Sequence, residues 1–322
     1  MKNRSNVASC FALSLLCRRA LVCLAVIVLS WNYGAISAYG QYSDVWPKQM
    51  EGADKLVYKS IGDVDLHLFV FRPATKRKAA PGIVFFFGGG WKSGSPIQFE
   101  KHCRYLASRG MVAMTAEYRN EDRHRSKAKD SVQDAKSAMR WIRANAQKLG
   151  VDPKRLAAGG GSAGGHLAAC AAMKIGATTA DAQSAVPNAL VLFNPPCVLA
   201  AADGREDFMA AEYKPEILAR MGVPSRELSM WHHVKPKCPP LLVMHGEADH
   251  AVPIWTAKSF VDKMKRAGNH AEIVIYPGED HGFFNFGEKD NAMFFATLKA
   301  TDRFLAKLGW IQGAPTLDKF PF

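Results

Sequence analysis

Short, uninterrupted apolar runs recur along this chain with helical stretches between them, and that alternation limits the fold more than any other feature. GIVFFF (82–87), MVAMTAEYR (111–119), ALVLFNPP (189–196), PPLLVMHGE (239–247) and AEIVIYPGED (271–280) read as strands. Continuous apolar strands without polar alternation belong to sheets covered on both faces. FEKHCRYLASRG (99–110) reads as a helix closed by Gly110. In the stretch 126–150, Val132, Ala135, Met139, Ile142 and Ala146 share one helical face, and Gly150 is the stop. HLAACAAM (166–173) and residues 254–267 and 292–308 add further helices. An earlier segment, VDLHLFVFRP (64–73), alternates loosely and ends at a proline, as an antiparallel strand would. The expected fold is α/β: a mainly parallel β-sheet with helices on both faces. Residues 198–237 break the rhythm with helical fragments and no convincing strand. A segment that long between two sheet strands is expected to be a helical lid or substrate-binding insertion.

The first forty residues follow a different pattern. Lys2, Arg4, Arg18 and Arg19 precede or open the apolar run ALVCLAVIVLSW (20–31), small residues follow, and no acid occurs before Asp44. That order predicts a secretory signal over 1–40, cut ahead of Gln41, and a mature domain over 41–322 that is secreted or periplasmic. The 12-residue run is shorter than the ~20 residues that span a bilayer, so no membrane span is expected in the mature chain. An uncleaved membrane anchor is the alternative. Removing four of the 42 basic residues leaves 38 against 29 acids, which lowers the net charge from +13 to +9. The basic clusters TKRK (75–78) and RNEDRHRSKAK (119–129) lack interleaved aromatics, so they read as solvated surface and no nucleic-acid partner is expected. Four cysteines remain beyond the leader (Cys103, Cys170, Cys197, Cys238), and their spacing does not assign disulfide partners. With no C-x-x-C, no H-E-x-x-H and no acidic calcium loop, no metal or cofactor is expected.

AGGGSAGGHLA (158–168) fits two glycine patterns. Gly159, Gly161 and Gly164 satisfy the dinucleotide fingerprint G-x-G-x-x-G, whereas Gly160, Ser162 and Gly164 satisfy G-x-S-x-G, the turn that presents a nucleophilic serine. The fingerprint needs an acid at the end of the next strand, about 20 residues on. The nearest acid is Asp181, inside IGATTADAQSA, which does not read as a strand end. The serine reading requires an acid and then a histidine on loops after later strands. LLVMHGEADHAVP (241–253) supplies Asp249 and IVIYPGEDHGF (273–283) supplies His281. Glu247 competes with Asp249, while Asp280 adjoins His281 too closely in sequence to orient its ring. His245 is expected to shape its turn and His166 to pack; His232, His233 and His250 read as loop residues. The oxyanion formed by serine attack would be received by backbone amides of Ala163, Gly89 and Gly90, with Gly88 a weaker third candidate.

Taken in order, Phe87-Gly88-Gly89-Gly90-Trp91, Gly160-Gly161-Ser162-Ala163-Gly164, HGEADHAVP and EDHGF resemble the motifs of α/β-hydrolase fold esterases. Within that fold the chain looks similar to the hormone-sensitive-lipase-like branch and to related carbohydrate esterases of the acetylxylan type. AEYR (116–119) and the stretch 134–165 resemble that branch's segment before the nucleophile. The likeness covers about residues 56–308 and departs from H-G-G-G by placing Phe87 where a loop-supporting histidine usually stands. What the resemblance implies is an acyl-serine hydrolase without cofactor, acting on short acyl, chiefly acetyl, esters of carbohydrates or small molecules. The alternatives are a lipase, a prolyl-oligopeptidase-like serine peptidase, or a binding module that has kept the fold.

Overall fold

The computed structural model describes residues 46–75, 79–175 and 184–322. Every described residue belongs to one compact unit, Tyr42–Phe322. The expected signal segment lies outside the described residues. Among the described residues no helix is long and apolar enough to cross a membrane.

Eight strands form one sheet: β1 (Ala53–Ile61), β2 (Val64–Phe71), β3 (Ala80–Phe86), β4 (Val112–Ala116), β5 (Val151–Gly161), β6 (Ala189–Phe193), β7 (Leu241–Gly246) and β8 (Ala271–Tyr276). Their order is β1-β2-β4-β3-β5-β6-β7-β8. The β1–β2 hairpin and the β2–β4 pairing are antiparallel, and every pairing from β4 to β8 is parallel. Strands β3, β4, β6 and β7 are buried along their whole length, as their continuous apolar sequences require.

Alternation along each strand distributes side chains between two cores. Val84, Phe86, Met114, Leu192 and Val243 enter one; Ile83, Phe85, Ala113, Val191 and Met244 enter the other. Helices α2 (Ala128–Ala144), α3 (Ala163–Ala172) and α5 (Ile254–Arg266) cover the first, through residues such as Met139, Leu167 and Phe260. Helices α1 (Glu100–Ser108) and α6 (Ala292–Lys307) cover the second, through Leu106 and Leu298. Between β6 and β7 lie α4 (Lys214–Arg220) and two single helical turns, with one isolated bridge, Ala202–Arg205, instead of a strand. Strand β1 has no counterpart in the apolar-run reading, because its exposed and half-exposed positions carry Asp54, Lys55, Lys59 and Ser60 at the sheet edge.

Candidate active site

Ser162 occupies the turn between β5 and α3 at φ 49° and ψ −121°. A non-glycine residue in that left-handed region stores about 1–3 kcal/mol, and its surroundings must hold it there. The flanking glycines let the turn close. A Cβ on Gly164 would overlap the Phe86 carbonyl, and one on Gly160 would overlap both that carbonyl and the Gly164 backbone. The Ser162 N–H donates to Phe193 O at 2.8 Å, fixing the turn to the end of β6. This is the geometry of G-x-S-x-G, with the serine at the apex and a helix beginning directly behind it.

His281 and Asp249 arrive from the loops after β8 and β7. His281 Nε2 lies 3.0 Å from Ser162 Oγ, and His281 Nδ1 lies 2.8 Å from Asp249 Oδ2. The other Asp249 oxygen accepts the Ala251 and Val252 amides at 3.0 and 2.8 Å. Burial alone would raise the Asp249 pKa, but the attraction of His281 and the hydrogen bonds of His245 and His281 hold it well below the ordinary carboxylate range. An ionised Asp249 only accepts, so Nδ1 carries the imidazole proton and Nε2 presents its lone pair to the serine hydroxyl. Glu247 is exposed on the same loop, which separates it from the buried Asp249. His245 is buried and places Nε2 2.9 Å from Val252 O, bracing the acid's turn. Asp280 faces away from the imidazole ring. It accepts the His281 backbone N–H at 2.6 Å and binds the His250 ring, so it ties the two loops together.

The 87–90 loop runs beside Ser162: a Cβ on Gly88 would lie 3.4 Å from Ser162 Cβ. The Gly88 N–H is already engaged, donating to Gln98 Oε1 at 2.7 Å. Gly89 O accepts from the Lys92 and Ser93 amides at 3.0 and 3.1 Å, and Gly90 O accepts from Arg220 of α4 at 3.4 Å. Among the described residues the amides of Gly89, Gly90 and Ala163 have no protein acceptor. Of the four candidate donors, Gly88 is the one engaged within the protein. Phe87 supports the loop by stacking on Tyr118, with ring centroids 4.0 Å apart.

Other polar groups serve packing or were not anticipated. His166 binds Leu228 O of the insertion through Nε2 at 2.8 Å, and burial lowers its pKa to about 4. His102 lies among Phe85, Phe99, Phe193, Phe284 and Phe294 with no partner for either nitrogen among the described residues; burial takes its pKa to about 3. His232 braces the insertion through Ser229 and Ala201, and His233 is half-buried beside it. Among the described residues the four cysteines are free thiols, three of them buried. Among the described residues no cluster of three or more His, Cys, Asp or Glu side chains could hold a metal ion. Asn194 was not singled out by sequence. Its Nδ2 lies 3.3 Å from both His281 ring nitrogens, which places the amide over the face of the ring. The only sequence signal for it is a polar residue directly after the apolar β6, in LFNPP.

The BD-FAE family model matches residues 68–264, a span that holds the 87–90 loop, Ser162 and Asp249. Esterase LipC of Mycobacterium tuberculosis is 30% identical over 219 residues, which are 64% of this chain and 54% of that protein. The isoprenylcysteine alpha-carbonyl methylesterase ICME of Arabidopsis thaliana is 25% identical over 285 residues, 81% of this chain and 62% of the relative. The chain thus spans little more than half the length of these curated relatives. The esterase Est2 of Thermogutta terrifontis, solved with propionate bound, is 45% identical with a TM-score of 0.76, covering 83% of this chain and 98% of that one. The same esterase phosphonylated by sarin gives 43% identity and a TM-score of 0.78, covering 83% and 99%. This chain belongs to the BD-FAE family of hormone-sensitive-lipase-like α/β-hydrolases.

Proposed function

We propose that the protein is a serine carboxylic-ester hydrolase that works through an acyl-Ser162 intermediate and removes short acyl groups, acetyl above all, from carbohydrate or small-molecule esters. The observation that carries this reading is the continuous relay from Asp249 through His281 to Ser162, at 2.8 and 3.0 Å. Ser162 Oγ attacks the ester carbonyl carbon while its proton passes to His281 Nε2. The carbonyl π pair moves onto oxygen, where the amides of Gly89, Gly90 and Ala163 receive it. As the intermediate collapses, the ester C–O bond breaks and His281 returns the proton to the departing alkoxide. Water then adds to the acyl-serine with the same proton traffic, releasing the carboxylic acid and restoring Ser162.

The short-acyl preference draws support from the propionate-bound esterase and from its butyrate-bound counterpart, both similar to this chain. The carbohydrate preference rests on the motif resemblance alone. Turnover of p-nitrophenyl acetate, of longer p-nitrophenyl esters and of acetylated xylan tests both. The proposal expects rates that fall with acyl length and acetate release from xylan. Rates that rise towards long acyl chains contradict it in favour of a lipase, and cleavage of proline peptides without ester turnover contradicts it in favour of a peptidase. Residues 1–40 are proposed to direct export. N-terminal sequencing of exported protein is expected to begin at Gln41, and retention of Met1 on a membrane-bound product would contradict cleavage.

A further inference from the structure

Both ends of one peptide unit in the 87–90 loop are held by side chains from outside the loop. The Phe87 carbonyl accepts the Tyr118 hydroxyl at 2.7 Å, and the Gly88 N–H donates to Gln98 Oε1 at 2.7 Å. Tyr118 is buried and follows β4; Gln98 lies in the single 3-10 turn (Pro96–Phe99) that precedes α1. A peptide plane fixed at both its carbonyl and its amide sets the direction in which the chain enters Gly89 and Gly90, whose conformations are otherwise free to turn. Those are the two residues whose amides have no protein acceptor among the described residues. Gln98 reaches further. Its Nε2 donates to Asn285 Oδ1 at 2.9 Å, and Asn285 lies four residues beyond His281 on the loop after β8.

We infer that Gln98 is a positioning residue that couples the oxyanion loop to the histidine loop, adding hydrogen bonds to the support that Phe87 gives by stacking on Tyr118. The inference rests on the esterase reading above and deepens it. Gln98 does not touch the reacting atoms; it acts through the Gly88 peptide on one side and Asn285 on the other. Its effect belongs to the transition state, because the amides it aims meet full negative charge only there. Loss of Gln98 is therefore expected to lower kcat and leave KM near its wild-type value.

The variant that tests this is Gln98→Met, which keeps the length of the side chain and removes both hydrogen bonds. The two readouts are steady-state kinetics on p-nitrophenyl acetate and inhibition by an aryl trifluoromethyl ketone, which adds to serine as a tetrahedral oxyanion. A loop displaced by about 1 Å loses on the order of 10²-fold, so kcat is expected to fall about 10- to 100-fold with KM nearly unchanged. Ketone affinity should fall by the same factor. Asn285→Leu, at a half-buried surface position, leaves the Gln98–Gly88 bond in place and is expected to lose a smaller factor in the same two quantities. If Gln98→Met does not fold, as judged by its thermal transition, Asn285→Leu decides the matter. Unchanged kcat and ketone affinity in the folded variants overturn the inference, as does a loss of kcat with ketone affinity retained. A wild-type chain that neither hydrolyses the ester nor binds the ketone overturns the hydrolase reading itself, and this inference falls with it.

Discussion

Asp249 uses its two carboxylate oxygens differently, one on the backbone amides of Ala251 and Val252 and the other on His281 and, at 3.2 Å, His245. The amides lock the carboxylate in place, so its remaining lone pairs dictate which imidazole nitrogen carries the proton. Asp249→Asn would turn an NH₂ towards Nδ1 or leave it weakly bound, favouring the tautomer that cannot accept the serine proton. A loss of about 10⁴-fold in kcat with the fold intact is expected, measured by ester turnover alongside circular dichroism. Ser162→Ala and His281→Ala are each expected to lose at least about that factor. His102 permits a separate prediction about stability. Its pKa is about 3 folded, against an ordinary 6.5, so the unfolded chain binds its proton first as pH falls below 6.5. Folding stability from this residue is complete above pH 6.5 and drains away down to about pH 3, a loss on the order of 2 kcal/mol by about pH 5. His102→Leu should therefore gain on the wild type in urea unfolding as pH drops from about 7 to 5. A constant difference between the two proteins across that range would contradict this account.

The Ser162 turn depends on bare backbone as much as on the serine. Gly164→Ala would drive a Cβ into the Phe86 carbonyl. It is expected to cost about 3 kcal/mol, at the upper end of overpacking penalties, and to abolish ester turnover, as read by urea unfolding and kinetics. This element was legible in the sequence because the strand, the glycines and the helix are contiguous. Strands β3, β4, β6 and β7 were legible for a related reason: burial on both faces demands apolar residues at every position. Strand β1 was not, since an edge strand that carries Asp54, Lys55, Lys59 and Ser60 shows no such run. Sequence left Glu247 competing with Asp249, since both follow the same strand, and only burial separates the two. Gln98, Tyr118 and Asn194 escaped notice because each acts through a partner brought close only by folding. The Gln98–Asn285 pair, for instance, is separated by 187 positions.

At the scale of the whole molecule, parallel pairing from β4 to β8 brings the loops that follow β3, β5, β6, β7 and β8 to one edge of the sheet. That topology lets Ser162 and His281 meet across 119 positions, with Asp249 behind the ring and the 87–90 loop alongside through Gly88. The insertion between β6 and β7 is tied into the same edge, through Arg220 to Gly90 O and through Leu228 O to His166. The central claim is that this convergence activates one hydroxyl out of all those in the chain. Intact-mass and peptide mass spectrometry after exposure to a fluorophosphonate test it most directly. A single adduct on the peptide containing Ser162, absent from Ser162→Ala and strongly slowed in His281→Ala, is the predicted result. An unlabelled wild type, or an adduct that persists undiminished in Ser162→Ala, would contradict it.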